Sequence, residues 1–320
     1  MAMPRNKTED DITAEVVQRF AQTPQPRLRE IMLSLIRHLH EFVKEVNLTE
    51  AEWFQAIEIL TEAGHMNSDK RQEFILFSDT LGVSMVVDLL NHRKPDGATE
   101  STVFGPFHRQ NAPELPWGGN IAHLDHEGAP TLVSGRVLDL DGRPVAGALL
   151  DVWQAQTSGL YDSQDPALHE MHMRGKFRSD AEGRYLLRTV LPVHYPIPSD
   201  GPVGAMLRAT GGHPWRPAHI HFVVSAAGYE PVTTHIFDRT DEYLGSDAVF
   251  AVKESLICDF TRHQTVDGEA RRLGIAAPYF TTEFDFRLKP ASEGGPDMLD
   301  AQRRLAALGA RGQPDRSVLT

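Results

Sequence analysis

Two tyrosines and two histidines could together bind a metal ion. Tyr161 follows Gly159-Leu160, Tyr195 follows a Leu-Pro-Val-His run, and a single residue separates His219 from His221. Successive side chains of a β-strand alternate between its faces, so the two imidazoles would point the same way, about 7 Å apart along the chain. Two phenolates would add anionic oxygen ligands, which suit a trivalent cation better than the ligand sets of soft metals, magnesium or calcium. The combination predicts a site for ferric iron.

A His-x-His doublet alone is a weak signal. A chain of 320 residues with 15 histidines should contain roughly one by chance. His38 and His40 form a second doublet, but they lie in a helical pattern, where positions i and i+2 do not share a face. We expect this pair to be solvated or packed. The doublet at His219 and His221 differs, because a proline precedes it and a β-branched and aromatic run follows it.

Composition restricts the class of protein. A chain of 320 residues that is 41% hydrophobic can bury a substantial core, as one large or two ordinary domains. A net charge of −12 argues against a nucleic-acid surface, which needs clustered Lys and Arg. The single cysteine, Cys258, excludes an internal disulfide and a Cys-rich zinc site, so a cytoplasmic location is expected. We expect neither secretion nor membrane insertion, because no suitable apolar stretch is present.

The first hundred residues show the period of amphipathic helices. Segments 13–22 and 26–46 are predicted helices, and Thr49 with Glu52 matches a capping box that opens a third. The apolar residues of 70–91 nearly surround a fourth helix, which we expect to be buried on several sides. This half has more apolar residues than its own small core should need. It therefore predicts a homodimer formed through residues within about 1–90.

The pattern changes after a segment at 91–130 that has no period and is rich in Gly, Pro, Asn and His. Strands separated by turn signals are predicted over 133–139, 145–153, 183–188, 219–225, 232–237 and 279–288, and such spacing is typical of a β-sandwich. We predict an α+β fold with a helical dimerisation and linker domain at 1–105, an antiparallel β-sandwich domain at 106–290 and a peripheral tail at 291–320.

Three motifs resemble those of the intradiol ring-cleavage dioxygenases, and the resemblance extends over about residues 30–290. Leu-Asp-Val-Trp-Gln-Ala at 150–155 with Gly-Leu-Tyr at 159–161 resembles the family's first ligand strand and loop. Leu-Pro at 191–192, with Tyr195 and the Gly-Pro pair at 201–202, resembles the second. Arg-Pro-Ala-His-Ile-His at 216–221 is similar to the signature that carries both histidines. The resemblance implies that the β-sandwich is the catalytic domain.

The resemblance also implies a mononuclear non-haem iron(III) held by Tyr161, Tyr195, His219 and His221, with hydroxide as a fifth ligand. The residues that match Tyr195 and His221 are axial in the family, and the other two are equatorial. Arg216 matches an arginine thought to stabilise negative charge that develops on the substrate ring. A structural salt bridge would be another role for Arg216.

Within the family, the helical first domain resembles that of the catechol, chlorocatechol and hydroxyquinol 1,2-dioxygenases. Those enzymes are homodimers joined through their helical domains, and they hold a phospholipid in an apolar tunnel at the interface. The resemblance therefore implies a homodimer and a possible bound phospholipid. Ordinary core packing would also account for the apolar residues of the helices.

The segment at 246–250 with Val252-Lys253 most resembles the hydroxyquinol branch. This implies O2-dependent intradiol cleavage of 1,2,4-trihydroxybenzene to 3-hydroxy-cis,cis-muconate or maleylacetate, in the breakdown of aromatic compounds. Asp79 would pair with the third hydroxyl; it could instead be a solvated or capping carboxylate. The substrate-binding residues that the resemblance implies are Leu76, Asp79, Val103, Phe104, Gly105, Pro106, Phe107, Ile197, Pro198 and Val249.

Two other functions remain open at this point. One is a catechol or chlorocatechol 1,2-dioxygenase, and the other is a metal-free, transthyretin-like sandwich that binds an aromatic ligand without catalysis. The presence of a suitable residue at all four ligand positions argues for an enzyme. His235 stands where catechol enzymes carry a glutamine near the iron, so it either orients a ligand or simply faces the cavity from its strand.

Overall fold

The structure is a computed structural model that describes residues 6–68, 71–122, 128–266 and 268–291. None of the helices within these ranges has the length and apolar character needed to cross a membrane. The helices are α1 (Glu9–Phe20), α2 (Pro26–Glu45), α3 (Glu50–Met66), α4 (Glu73–Thr80), α5 (Val83–Asn91), α6 (Pro202–Ala209) and α7 (Gly268–Arg272). The strands are β1 (Pro130–Asp139), β2 (Leu149–Trp153), β3 (Arg174–Arg178), β4 (Arg184–Val190), β5 (Tyr195–Pro196), β6 (Trp215–Arg216), β7 (His219–Ser225), β8 (Val232–Asp238), β9 (Ile257–Cys258), β10 (Thr261–His263), β11 (Tyr279–Glu283) and β12 (Phe286–Leu288).

The chain divides into two compact units between Thr61 and Glu62. In the first unit the capping box predicted at the start of α3 is present: the Thr49 backbone amide donates to the Glu52 carboxylate at 2.9 Å, and the Glu52 amide donates to Thr49 Oγ1 at 3.3 Å. His40 is packed rather than free, with Nδ1 2.9 Å from Thr13 Oγ1. The division of the chain at residues 105 and 290 stays a prediction, and the predicted peripheral tail lies outside the described residues from 292 onward.

Helices α2 and α3 leave a broad apolar surface exposed in the single chain. Their large apolar side chains follow the period that the sequence predicts, but few of them are buried. Those exposed by more than two-fifths are Ile31, Leu35, Leu39, Phe42, Val43, Trp53, Phe54, Ile57 and Leu60.

The prediction of one buried helix over 70–91 is wrong in two respects. The segment forms two helices, because Gly82 adopts a left-handed backbone (φ 72°) that ends α4 and precedes α5. Several of its apolar residues are also exposed by about half or more in the single chain, Leu81 by 62% and Leu90 by 61% among them. The continuous run of apolar residues therefore does not reflect burial on all sides.

Two five-stranded sheets and a two-stranded ribbon make up the β-structure of the described residues. In the first sheet β1 pairs antiparallel with β4 on one side, and parallel with β11 and then β12 on the other. In the second the order is β3-β2-β7-β8-β9, antiparallel except for the parallel pair β8 and β9. The α+β fold with a β-sandwich is thus confirmed, with mostly antiparallel sheets.

One apolar core lies between the two sheets. The first sheet contributes residues such as Val133, Val137 and Leu187, and the second contributes Ile220 and Phe222 of β7. Strict alternation along β7 places these two residues in the core, so their neighbours His219, His221 and Val223 face the opposite side of the sheet. The predicted strand over 279–288 is two strands, both paired with β1, and the one over 145–153 begins only at 149.

Candidate metal centre and adjoining cavity

Strand β7 presents His219 and His221 on the face turned away from the sandwich core. Both side chains are buried, and their Nε2 atoms lie 3.1 Å apart. The neighbouring strand β2 places Trp153 directly opposite His221, and the two rings stack with centroids 4.6 Å apart and planes 13° apart. The two histidines therefore lie on the same face of the strand, as the alternation of side chains predicts.

Tyr161 and Tyr195 bring their phenol oxygens to the same point. Tyr161 lies in the loop after β2, and Tyr195 begins β5, which pairs with β6. The two Oη atoms are 3.0 Å apart; Tyr161 Oη lies 3.1 Å from His221 Nε2, and Tyr195 Oη lies 3.4 Å from His219 Nε2. Two phenol oxygens and two imidazole nitrogens therefore surround one small volume, although their residues come from a loop and two different strands.

Both imidazoles are held in the form that binds metal ions. His219 Nδ1–H donates to the carbonyl oxygen of Pro217 at 2.6 Å, which leaves the lone pair of Nε2 available. Burial lowers the pKa of His219 and His221 well below 6.5; the charge of Arg216 adds to this effect at His219, and His235 adds to it at His221. Neutral imidazole is the ligand form, so the histidines are prepared for a cation.

The phenols are prepared differently. Burial raises the pKa of Tyr161 well above 10.0, reinforced by Tyr195, and burial also raises the pKa of Tyr195 despite the nearby Arg216. Two buried phenols in contact resist ionisation unless a strong cation binds between them. Donor atoms separated by 3.0 to 3.4 Å have the spacing of ligands that each lie about 2.1 Å from one ion. The residues therefore fit a hard, highly charged metal ion.

A third buried histidine, His235, lies beside the pair, and ring nitrogens of the three are within 4.8 Å of one another. His235 Nε2 lies 2.7 Å from His221 Nδ1, on the side of the ring away from His219 and Tyr161. The two nitrogens of an imidazole point away from each other, so one ion cannot bind both. The geometry favours the set of two tyrosines and two histidines, with His235 behind His221.

Arg216 lies against this centre with its side chain buried. Its Nη1 is 3.1 Å from His219 Nε2 and 3.5 Å from Tyr195 Oη. Burial acts to lower the pKa of Arg216, but Asp247 and the two phenol oxygens outweigh it and raise that pKa. A fixed positive charge is therefore held within contact distance of the candidate ligands.

A small cavity opens directly onto the centre. Leu76 and Asp79 of α4 line one side of it, and the loop that follows Thr102 lines another. Tyr195, Arg216 and His221 connect the cavity to the candidate ligand atoms. The lining residues are Leu76, Asp79, Val103, Gly105, Pro106, Phe107, Tyr195, Ile197, Arg216, His221 and Val249.

Eight of the ten substrate-binding residues expected from the sequence line this cavity. Phe104 does not; it packs on Trp153 and His108, with ring centroids 5.8 and 4.6 Å away. Pro198, next to the lining residue Ile197, is not among the lining residues either. Phe104 therefore contacts Trp153, whose ring stacks on His221, instead of the cavity.

Asp79 is a buried carboxylate in a largely apolar part of the wall. Burial raises its pKa to about 6, and Ser84 and Arg216 oppose this effect. The position of α4 is fixed by Glu73, whose buried carboxylate accepts a hydrogen bond from the Val203 amide at the start of α6, at 3.1 Å. A titratable group thus faces the space next to the metal centre from a firmly attached helix.

The loop 103–107 approaches both kinds of candidate ligand. Gly105 has φ 72°, and a Cβ atom there would lie 3.6 Å from His221 Cε1. Phe107 stacks on Tyr161 with centroids 4.4 Å apart and planes 17° apart. Substitution at Gly105 would strain the backbone at the point where the loop covers His221.

Sequence reasoning missed the supporting residues of the centre. Trp153 was part of a motif, but nothing in one sequence indicated that it stacks on His221. Asp247 belongs to the segment 246–250 that resembles the hydroxyquinol branch, but nothing in that segment indicated a bond to Arg216. Thr102, which contacts His235, carried no recognisable signal. Such contacts join residues distant in the chain, so only the folded structure reveals them.

Comparison with known proteins agrees with this geometry. Residues 105–290 match the family described as "Dioxygenase", and residues 25–99 match "Catechol dioxygenase N terminus". A hydroxyquinol 1,2-dioxygenase from Rhizobium sp. (strain MTP-10005) is 52% identical over 282 residues, which is 88% of this chain and 95% of that protein.

Solved structures show the same likeness. The crystal structure of hydroxyquinol 1,2-dioxygenase from Pseudomonas putida DLL-E4 is 49% identical, with a TM-score of 0.84, covering 88% of this chain and 99% of that one. Catechol 1,2-dioxygenase from Acinetobacter radioresistens is 26% identical with a TM-score of 0.81, covering 92% and 97%. The family and the clustered imidazoles indicate a bound metal. The chain belongs to the intradiol ring-cleavage dioxygenases, a family of oxidoreductases.

Proposed function

We propose that this protein is a hydroxyquinol 1,2-dioxygenase, which cleaves 1,2,4-trihydroxybenzene between its adjacent hydroxylated carbons in aromatic catabolism. Both oxygen atoms of O2 enter the product, 3-hydroxy-cis,cis-muconate, whose keto form is maleylacetate. Similarity to relatives of that name over most of the chain supports the assignment. The structural observation that carries it is the buried carboxylate of Asp79 in the wall of the cavity.

Asp79 distinguishes a ring with three hydroxyls from a ring with two. The cavity wall around it is mainly apolar, with Leu76, Val103 and Val249, so a third hydroxyl would lack a partner without this carboxylate. An unpaired buried hydroxyl costs on the order of 1 to 3 kcal/mol. A site that pairs with a substrate hydroxyl also discriminates against the analogue that lacks it, since its own polar group is then left unpaired.

We further propose that the metal is ferric iron and that Tyr161, Tyr195, His219 and His221 hold it. The two phenol oxygens and two neutral imidazoles are the donor set on which this rests. Iron(III), when bound there, would act as a Lewis acid for the two adjacent substrate oxygens and draw electron density from the ring.

The protein's own groups prepare the site around that ion. Arg216 Nη1 holds a positive charge 3.5 Å from Tyr195 Oη, where negative charge gathers when phenol and substrate lose their protons. Phe107, stacked on Tyr161, covers one ligand with an apolar ring. Gly105 adopts the positive φ, 72°, that the same loop takes next to His221. Together these contacts exclude water and restrict the substrate to one side of the centre.

We propose that the protein acts as a cytoplasmic homodimer, with aromatic substrate and O2 as its small-molecule partners. The exposed apolar side chains of α2 and α3, such as Leu35, Leu39 and Phe42, support association through the helical part of the chain. A phospholipid at the same surface would cover part of it in an equally apolar environment. The buried, unpaired Cys258 agrees with a reducing compartment.

Oxygen uptake by the purified protein with hydroxyquinol and with catechol, measured side by side, tests the substrate. We expect kcat/KM for hydroxyquinol to exceed that for catechol by at least tenfold, by the argument from Asp79. A preference for catechol or chlorocatechol would assign the chain to those branches of the family. Absence of uptake with every diol, in protein loaded with iron, would favour a binding protein without catalysis.

A further inference from the structure

A chain of three buried side chains leads away from the metal centre. His221 Nδ1 lies 2.7 Å from His235 Nε2, and His235 Nδ1 lies 2.6 Å from Thr102 Oγ1. None of the three is exposed by more than 3%. His235 faces His221 because the two are directly paired residues of the adjacent strands β8 and β7. We refer to His221, His235 and Thr102 as the buried relay.

The proton positions in the buried relay follow from the role of His221, which lies at the end nearest the metal centre. A His221 that offers its Nε2 lone pair to a cation, and is neutral, carries its proton on Nδ1. That proton points at His235 Nε2, which must then be the acceptor. His235 is left with its proton on Nδ1 and donates it to Thr102 Oγ1. The arrangement with every proton reversed would also satisfy both hydrogen bonds, because the Thr102 hydroxyl can donate as well as accept, but it would place a proton on His221 Nε2 and block metal binding there.

We infer that His235 is a positioning residue that fixes the tautomer and the ring orientation of His221, and that Thr102 holds the ring of His235 in place in turn. The inference rests on the proposed function only in taking His221 as a ligand of the iron. The stacked ring of Trp153 restricts the plane of His221. The hydrogen bond to His235 then sets the rotation of the ring within that plane, which Trp153 alone does not determine.

The two candidate histidine ligands are supported by different means. His219 donates to a main-chain carbonyl, that of Pro217, whereas His221 depends on a side chain. A hydrogen bond to the far nitrogen raises the basicity of a histidine ligand. Imidazole is a better acceptor for that proton than a carbonyl oxygen, so the relay strengthens His221 as a donor in particular. Substitution at position 235 therefore removes a hydrogen bond from His221 but none from His219, which His235 touches only through a ring contact at 4.8 Å between centroids.

The relay also reaches the cavity. The Thr102 amide donates to Thr233 O of β8 at 2.9 Å, and Thr102 immediately precedes Val103 of the cavity wall. Thr102, the residue just before the loop 103–107, thus makes the contact that holds His235. A displacement of this loop would be transmitted to His221 through two hydrogen bonds.

The test measures how fast a chelator removes iron from the purified holoenzyme, together with the visible absorption band of the iron-bound protein. His235→Leu, which cannot accept the His221 proton, should lose iron about 10 to 100 times faster than the wild type. His235→Gln, whose amide oxygen can accept and whose NH2 can donate, should lose iron more slowly than the leucine variant and show a shifted band. Thr102→Val should fall between wild type and His235→Leu, and Thr102→Ser should resemble the wild type.

A matched pair exists elsewhere in the sandwich. His263 Nε2 lies 2.8 Å from Thr281 Oγ1 between β10 and β11, so His263→Leu and Thr281→Val break a histidine–threonine contact of the same kind. These controls should leave iron loss and the absorption band unchanged. Loss of iron from His235→Leu at the wild-type rate, or equal effects in the controls, would overturn the relay. If His235→Leu does not fold, Thr102→Val against Thr102→Ser decides the same point.

Failure of the proposed function would look different. A wild-type protein that holds no iron would overturn the metal site itself, and the relay with it. A wild type that holds iron and cleaves its substrate, with variants at 235 and 102 that retain iron equally well, would overturn the relay alone.

Discussion

The Asp247 carboxylate accepts hydrogen bonds from two nitrogens of the buried Arg216 guanidinium, Nε at 3.2 Å and Nη2 at 3.4 Å. The same carboxylate accepts from the backbone amides of Val249 and Ala251, at 3.3 and 3.0 Å. One acidic residue therefore sets the direction of the cation at the metal centre and the path of the chain that lines the cavity at Val249.

Asp247→Asn tests that double role. Breaking a buried ion pair from one side leaves the other charge uncompensated, so we expect the free energy of unfolding to fall by about 3 kcal/mol. We also expect kcat for hydroxyquinol to fall by about tenfold or more, because Arg216 is no longer aimed, with iron content unchanged. Asp139→Asn is a control, since the Asp139 carboxylate accepts hydrogen bonds from backbone amides of its own turn, those of Asp141 and Arg143. Wild-type kcat in Asp247→Asn would show that the pair is merely structural.

Asp79→Ala should separate the two substrates. Activity on hydroxyquinol is expected to fall roughly tenfold to a hundredfold, because the third hydroxyl loses its buried partner, while activity on catechol changes much less. Steady-state oxygen uptake on both substrates measures the ratio. Equal losses would indicate that Asp79 supports the fold instead and would favour catechol as the substrate.

The stability of the protein should depend on pH through Asp79. Its pKa is raised to about 6 from the ordinary 3.8, so ionisation above about pH 6 costs stability and the cost disappears as the pH falls below 3.8. Asp79→Asn removes that cost. The stability of the variant relative to wild type should therefore be more favourable at pH 7.5 than at pH 4, by about 2 kcal/mol. Urea unfolding of metal-depleted protein at both pH values measures this, and a difference independent of pH would contradict it.

Tyr161→Phe should change the colour of the protein. Charge transfer from phenolate to iron(III) is expected to make the purified wild type red-brown, and loss of one phenolate should shift or bleach the band. Tyr185→Phe is the control, because Tyr185 is a buried tyrosine that donates to Phe284 O at 2.7 Å, away from the centre. A colourless wild type that binds stoichiometric zinc and gains no activity with iron would refute the proposed metal.

Light scattering should find a dimer at micromolar concentration. Leu39, exposed by 51% on α2, lies in the apolar surface that we propose to be covered, and Leu39→Glu should shift the protein towards monomer because it buries an unpaired charge in the interface. Arg27→Glu, at the exposed start of the same helix, serves as the charge control. A monomeric wild type would rule out the proposed assembly.

Local patterns predicted a large part of the fold. Strand β7 has the bounds that alternation predicts, and the Thr49–Glu52 capping box is present, because both depend on residues close in sequence. The segment 70–91 forms two helices instead of one because of a single glycine, Gly82. The apolar residues around it gave no indication of its left-handed conformation. That run also shows the limit of hydrophobicity as a guide to burial in one chain.

The residue types of the candidate site could be predicted from the sequence, but the contacts that position those residues could not. The motifs indicated all four candidate ligands, which the structure brings together, and their role as ligands stays a prediction. The bonds of His235 to His221 and of Asp247 to Arg216 join residues 14 and 31 positions apart. Their partners are chosen by strand register and loop path, which no local pattern in one sequence specifies.

The pairing of β1 has a consequence for the order in which the protein is made. Its parallel partners β11 and β12 begin at Tyr279 and Phe286, about 140 residues after β1 ends at Asp139. At ribosomal speeds of about 5 to 20 residues per second, one side of β1 lacks its neighbours for roughly 7 to 30 s. All four candidate ligands leave the ribosome within that interval. The nascent chain therefore carries its candidate metal ligands before the opposing sheet of the sandwich is complete, and metal binding either follows the end of translation or stabilises an unfinished sandwich.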